Sequence, residues 1–364
     1  MNDKANITGL KPGNFHSVID GKETDLYVLR NKNGMEMCVT NYGAIVLSIM
    51  VPDRHGEFGN VVIGCDTLEE ACRQSKDYYI GATIGPVAGR ILQGAFRVGG
   101  KDYRMPLNSV PNTLHSGDNG FHTVVWQAQQ QSESQLLLRY SYSDGEAGFP
   151  GNIMVKMTYT LTEENAFRID YEAETDQDTL FAPTNHTYFN LAGMGNPTPT
   201  IEDHLVKINA DFYLPTDSNT NHTGEVSTVT DTPFDFRCYH SIGERINQEH
   251  VQLLNGHGYD HCFVLKKPAL HELSYAATCI SPSNGRRMDI YTTEPGLIMY
   301  TGNYLPGFTG MHGTTYPRRS AVCFETECFP DTPNNQHFPS IVLQKGDVYK
   351  QICIYQFSTQ SYEK

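Results

Sequence analysis

Five ionisable side chains stand in short polar clusters beside strand-like segments. They are Arg90 in Gly89-Arg90-Ile91, His115 in Leu114-His115-Ser116-Gly117, His186 in Thr184-Asn185-His186-Thr187-Tyr188-Phe189, Asp260 in Gly258-Tyr259-Asp260-His261, and Glu325 in Phe324-Glu325-Thr326-Glu327-Cys328-Phe329-Pro330-Asp331. Carboxylates and imidazoles are the groups that most often move protons in enzymes. Glu325 follows the apolar Val322-Cys323-Phe324. A carboxylate at the end of such a strand is costly unless it has a partner or a task. Alternation puts Glu325 and Glu327 on one strand face, where two near carboxylates raise the pKa of one of them. The plain alternatives are a buried ion pair for Glu325, a hydrogen-bonded structural histidine at 186 or 115, and salt bridges for Arg90 and Asp260.

Other chemistries lack their signatures. There is no HExxH, CxxC, GxGxxG or GxxxxGK(S/T) run. His257 and His261 are four apart, but Gly258 between them argues for a loop and not a helical metal pair. No metal and no cofactor are therefore expected. Asp144–Gly151 reads as a turn shaped by Gly and Pro, and His312 as a surface or loop residue.

Strands must position these residues. Ile153, Val155, Met157, Tyr159 and Leu161 alternate with Met154, Lys156, Thr158 and Thr160, and the same rhythm runs through Phe167–Glu174. Thr162–Asn165 between them reads as a hairpin turn. Gln135–Ser143, the stretch around Met288, Ile290 and Thr292, and Val348–Phe357 are further strands. Helices are few and short, at Leu68–Lys76 and in the region Ile242–Leu254. No repeat, linker or charge run divides the chain, which predicts one all-β domain over residues 1–364, a large antiparallel sandwich or barrel. Loops such as Asn108–Gly120, Ala192–Pro199, Thr216–Glu225 and Phe329–Pro339 are rich in Gly, Pro, Asn and Asp, and loops of this kind carry chemistry on a β scaffold.

A net charge of −14, with no compensating Lys/Arg cluster, argues against nucleic acid as a partner. No apolar run approaches the ~20 residues of a membrane span. The nine scattered cysteines read as free thiols. The N-terminal MNDKANITGL has neither a basic nor an apolar region of a signal peptide, which predicts a cytoplasmic protein unless an engineered methionine replaces an export signal. The expected partner is a small molecule, bound by a monomer or homodimer.

Taken together, the Asp144–Gly151 run, the Thr184–Leu191 run and the Glu325–Asp331 run, in this order and spacing, resemble the aldose 1-epimerase (galactose mutarotase) family from about Asn41 to near the C-terminus. The resemblance implies a β-sandwich of the galactose mutarotase type and interconversion of the α and β anomers of a free hexose such as D-glucose or D-galactose. It implies Glu325 as general base, His186 as general acid, His115 near the ring oxygen, and Arg90 and Asp260 as holders of sugar hydroxyls. The chain departs from the family pattern at four positions. Pro86 stands for a frequent arginine, Gly89 for asparagine, Ser116 for the first of two glycines, and Glu327 for glutamine. They bear on sugar preference and not on reaction type. The chemistry is coherent: ring opening removes the C1 hydroxyl proton and protonates the ring oxygen, and a carboxylate with an imidazolium does both. A nearby carboxylate such as Asp260 or Glu327 is expected to stabilise that imidazolium. A non-catalytic sugar-binding protein on the same fold, a glycoside hydrolase using Glu325 with Asp260, and a phosphosugar epimerase are the rival readings.

Overall fold

The computed structural model describes residues 6–195 and 198–360. The outer residues of the expected 1–364 domain, 1–5 and 361–364, and positions 196–197 of the Ala192–Pro199 loop lie outside the described residues.

Alternation shapes the large sheet. In Ile153–Leu161 every odd-numbered side chain is buried and every even-numbered one is exposed or half-buried. Ala166–Thr175 pairs with it in continuous register, Leu161 opposite Phe167 and Ile153 opposite Thr175. The Thr162–Asn165 turn joins them, with Asn165 in the left-handed region at φ +60. These two strands belong to a nine-stranded antiparallel sheet that also takes in Gln135–Tyr142, Arg286–Thr292 and the long Tyr349–Thr359.

A six-stranded antiparallel sheet packs against it. Its order is Tyr188–Phe189, Val322–Glu327, Gly296–Tyr300, Asp260–Leu265, Ala210–Leu214, Ser227–Thr228. Phe263, Leu297, Met299 and Phe324 from one face join Ile169, Ile290 and Tyr355 of the large sheet in one core. Each such burial is worth roughly 1.5–3 kcal/mol. The Tyr355 hydroxyl donates to the Phe324 carbonyl at 2.8 Å, which ties the layers together. Of the sandwich or barrel that the alternation allows, the fold is the sandwich that the resemblance implies.

The register of the six-stranded sheet decides what its other face carries. Asp260 stands opposite Tyr300 and Tyr300 opposite Cys323; Cys262 stands opposite Ile298 and Ile298 opposite Glu325; Glu327 stands opposite Gly296. Paired residues share a face and alternate residues along a strand return to it. Asp260, Glu325 and Glu327 therefore project to one side, away from the core.

The first helix runs over Leu68–Tyr78, two residues beyond the expected end. Thr67 caps it by accepting from the Glu70 N–H at 3.2 Å, while Glu70 accepts from the Asp66 N–H at 3.1 Å, a near relative of the capping box. The helical region expected at Ile242–Leu254 is two short pieces, Ile242–Arg245 and Val251–Gly256. No helix among the described residues is long and apolar enough to cross a membrane.

Candidate active site

His186 sits where the chain passes between layers. Thr184–Asn185 pairs with Thr83–Ile84, and Tyr188–Phe189 pairs with Val322–Glu327. Backbone bonds at 2.9 and 3.0 Å hold His186 between Ala82 and Gly81. Its Nε2 lies 3.6 Å from Glu325 Oε1, and both side chains are buried. Cys323 Sγ lies 3.4 Å from Nδ1. The rings of Tyr188 and Tyr79 flank it at 5.0 and 5.9 Å. Tyr79 reaches the site because it terminates the first helix in the left-handed conformation.

His115 enters from a second loop. Residues 115–117 all have positive φ, a tight turn that brings the ring 5.6 Å from His186 and 4.6 Å from Tyr79. Its Nδ1 accepts from the Gly89 N–H at 3.2 Å, so the neutral ring carries its proton on Nε2. Ser116 Oγ bonds the Val87 N–H and carbonyl, each at 2.8 Å. The serine that departs from the family pattern thus clamps the segment holding Pro86, another departure.

Arg90 pairs through Leu114 with this loop. Its carbonyl accepts from the Asp331 N–H at 3.1 Å, and Asp331 Oδ1 accepts from the Leu92 N–H at 3.0 Å. The Phe329-Pro330-Asp331 segment is therefore the strut that joins the strand of Glu325 to the Arg90 segment. Arg90 Nε is buried with no hydrogen-bond partner among the described residues. A guanidinium left with a free buried donor suits a ligand hydroxyl better than a structural salt bridge. Arg90→Ala is expected to cost about 1.5–3 kcal/mol of transition-state binding, the worth of a charge-assisted hydrogen bond. Steady-state kinetics on the folded variant would read this as roughly a 10–150-fold loss in kcat/KM; unchanged efficiency would make Arg90 structural.

Electrostatics follow from burial. Glu325 is pushed well above the usual carboxylate range, first by burial and then by Glu327 and Asp260. Burial raises Asp260 to about 6 against the pull of Arg90. His186 is driven down to about 3, mainly by burial, and His115 falls well below its ordinary value through burial, His186 and Arg90. The expectation that nearby carboxylates hold His186 as imidazolium is thus corrected for the resting site. Burial of the ring outweighs the attraction of the carboxyls, of which Glu325 and Glu327 are themselves pushed well up by burial and by like charge.

The structure brings His115, His186 and Glu325 together, with ligand-type atoms within 4.8 Å of one another. Tetrahedral zinc holds its donors roughly 3.4 Å apart, from bonds near 2.1 Å, and the trio as it stands suits a proton relay better. His257 and His261 do not form a pair: His257 is the left-handed cap of Val251–Gly256, and His261 is buried on the core side of its strand. Asp144–Gly151 is the shaped turn expected, with three glycines at positive φ. His312 lies in a turn and bonds the Thr8 carbonyl. Sequence reasoning passes over His222. It is buried near Arg90, neither ring nitrogen has a partner among the described residues, and burial holds it at about 3. Its loop, Thr216–Glu225, stands out in the sequence, but no local pattern marks the residue.

A β-sandwich with a buried carboxyl–imidazole pair on the outer side of one sheet, and a guanidinium with a free donor near its acidic groups, suits an acid–base enzyme for a polyhydroxylated ligand. The aldose 1-epimerase family model matches residues 25–356, and the chain belongs to that family. It is 38% identical to the galactose mutarotase of Mus musculus over 93% of this chain and 95% of that one. It is 34% identical to the aldose 1-epimerase of Haemophilus influenzae, over 91% and 95%. The structure of a GalM/aldose epimerase homologue from C. elegans superimposes with a TM-score of 0.84 at 28% identity, covering 93% of this chain and all of that one.

Proposed function

We propose that this protein interconverts the anomers of a free neutral hexose, with Glu325 taking the C1 hydroxyl proton and His186 protonating the ring oxygen. The enzyme is an aldose 1-epimerase; the sugar and the residue roles are our reading. The observation that carries it is the 3.6 Å pair of Glu325 Oε1 and His186 Nε2, buried on the face that also bears Asp260. When base takes the proton, the C1–O5 bond breaks and its electron pair is protonated at O5. The aldehyde turns about C1–C2, and the reverse steps close the ring on the other face.

The pair needs one proton between its members, and the resting site holds it on Glu325. The bound sugar completes the active form by shifting that proton to His186. His115, donating from Nε2, suits the charge that develops at O5. Asp260 and Arg90 hold the remaining hydroxyls while C1–C2 rotates. A glycosidase reading leaves His186 without a role, and a phosphosugar calls for a cluster of basic residues, whereas Arg90 stands here among Asp260, Glu325 and Glu327. The large core shared by both main sheets supports one domain. A cytoplasmic monomer or homodimer rests on the sequence reading alone.

Polarimetry tests the function. Fresh α-D-glucose and α-D-galactose should reach equilibrium rotation faster with the protein than without it. Saturable binding of both sugars with no acceleration would instead favour a non-catalytic binding protein.

A further inference from the structure

Glu327 is a buried carboxylate that the chemistry above leaves without a task. It is 1% exposed, and neither oxygen has a hydrogen-bond partner among the described residues. A buried unpartnered carboxylate costs stability and calls for a reason. It closes the strand that carries Glu325, two residues on and on the same face. No side chain separates it from the Arg90 segment: a Cβ on Gly89 would lie 3.4 Å from Glu327 Oε1 and 3.1 Å from Pro330. Gly89, at φ +72, is also the residue whose N–H bonds His115. Two of the departures from the family pattern, Gly89 and Glu327, thus meet beside the catalytic base.

The groups around Glu327 leave it short of a counter-charge. Glu325 lies two residues before it on its own strand, and Glu294 and Asp260 act on it from the turn before Gly296 and from two strands over. Cys262, two strands over, and Cys328, next in the chain, are both held as thiols by burial. Arg90 follows Gly89 but points its charge toward Asp260 and His222 as well. Lys267 acts on Glu294, behind it.

We propose that Glu327 is a positioning residue for the acid–base step, whose carboxyl sets how tightly Glu325 holds the proton it takes from the C1 hydroxyl. It neither gives nor receives a proton from the sugar. Two carboxyls on one buried strand face cannot both ionise cheaply, so Glu327 makes Glu325 the stronger base. Glu327 and Glu325 are each pushed well up, Glu325 in part by Glu327 itself. This rests on Glu325 being the base.

The test is the pH profile of kcat/KM in Glu327→Gln and Glu327→Leu, two neutral replacements of different shape, with Glu327→Asp as the charge-retaining control. The alkaline limb, where Glu325 loses its proton, should move down by about one pH unit in both neutral variants. It should stay within a few tenths of a unit of the wild-type limb in Glu327→Asp, with KM changed less than about threefold throughout. A limb that stays in place in folded neutral variants overturns the proposal. So does a tenfold rise in KM without a limb shift, which would make Glu327 a sugar contact. Failure of the base assignment itself shows separately, as near-normal activity in Glu325→Gln.

Discussion

Replacing Glu325 by glutamine is expected to lower turnover by at least ~10²-fold while sugar binding is largely kept. The amide would keep the shape of the side chain and lose the ability to take the C1 hydroxyl proton. The loss should therefore fall on kcat and not on KM. Stability should move the other way. A carboxyl whose folded pKa is raised contributes stability below its unfolded value, near ~4.3, and that contribution is lost as pH rises through the folded value. Glu325 is raised in this sense. Glu325→Gln should therefore melt no lower than wild type at neutral pH, and its relative advantage should grow from about pH 4.3 upward. Near-normal turnover in the folded variant would end the assignment of Glu325 as base.

The second large effect concerns the histidines. His186→Gln should collapse turnover across the whole pH range, by ~10²-fold or more, because it removes the ring 3.6 Å from Glu325 that carries the proton to the ring oxygen. His115→Gln should lose less, since a neutral donor at O5 stabilises charge without transferring the proton. The wild-type profile should also differ from one read off ordinary pKa values. Activity requires one proton on the Glu325–His186 pair. The acid limb marks a second proton reaching His186, near 3, and the alkaline limb marks the loss of the first from Glu325. The acid limb should therefore lie below ~4.3, and the alkaline limb should follow the raised carboxyl of Glu325 and not an ordinary imidazole near ~6.5. Rate measurements on both variants decide the roles: an inactive His115→Gln beside a largely active His186→Gln would exchange them.

Much of this was legible in the chain. Period-two alternation in Ile153–Leu161 and Ala166–Thr175 is a local property, set by which side chains must face a core, and it marked the strands and an all-β domain, while the choice of sandwich over barrel came from the family motifs. The helix at Leu68–Tyr78 was legible for a similar reason, since its polar face and its Thr67–Glu70 start are written within one turn. Ile242–Leu254 was less so, because between its two pieces the Gln248 and His250 N–H groups bond the Arg245 and Gln248 carbonyls, and Asn247 accepts from Arg319, a contact distant in sequence. The motif runs marked Arg90, His115, His186, Asp260 and Glu325 as chemistry-bearing.

Their assembly is a tertiary matter. Five segments separated by up to 235 positions, from Arg90 to Glu325, meet only because Asp260, Tyr300 and Cys323 fall into one register across three strands and because Asp331 ties the last strand to the Arg90 segment. Protonation was decided there too. Sequence supplied the carboxylates near His186, but burial, which no local pattern reports, outweighs their attraction and leaves the resting imidazole neutral. The same holds for Glu327. Alternation placed it beside Glu325, while only the approach of Gly89 and the absence of any partner for its oxygens among the described residues set it apart from an ordinary strand-end carboxylate.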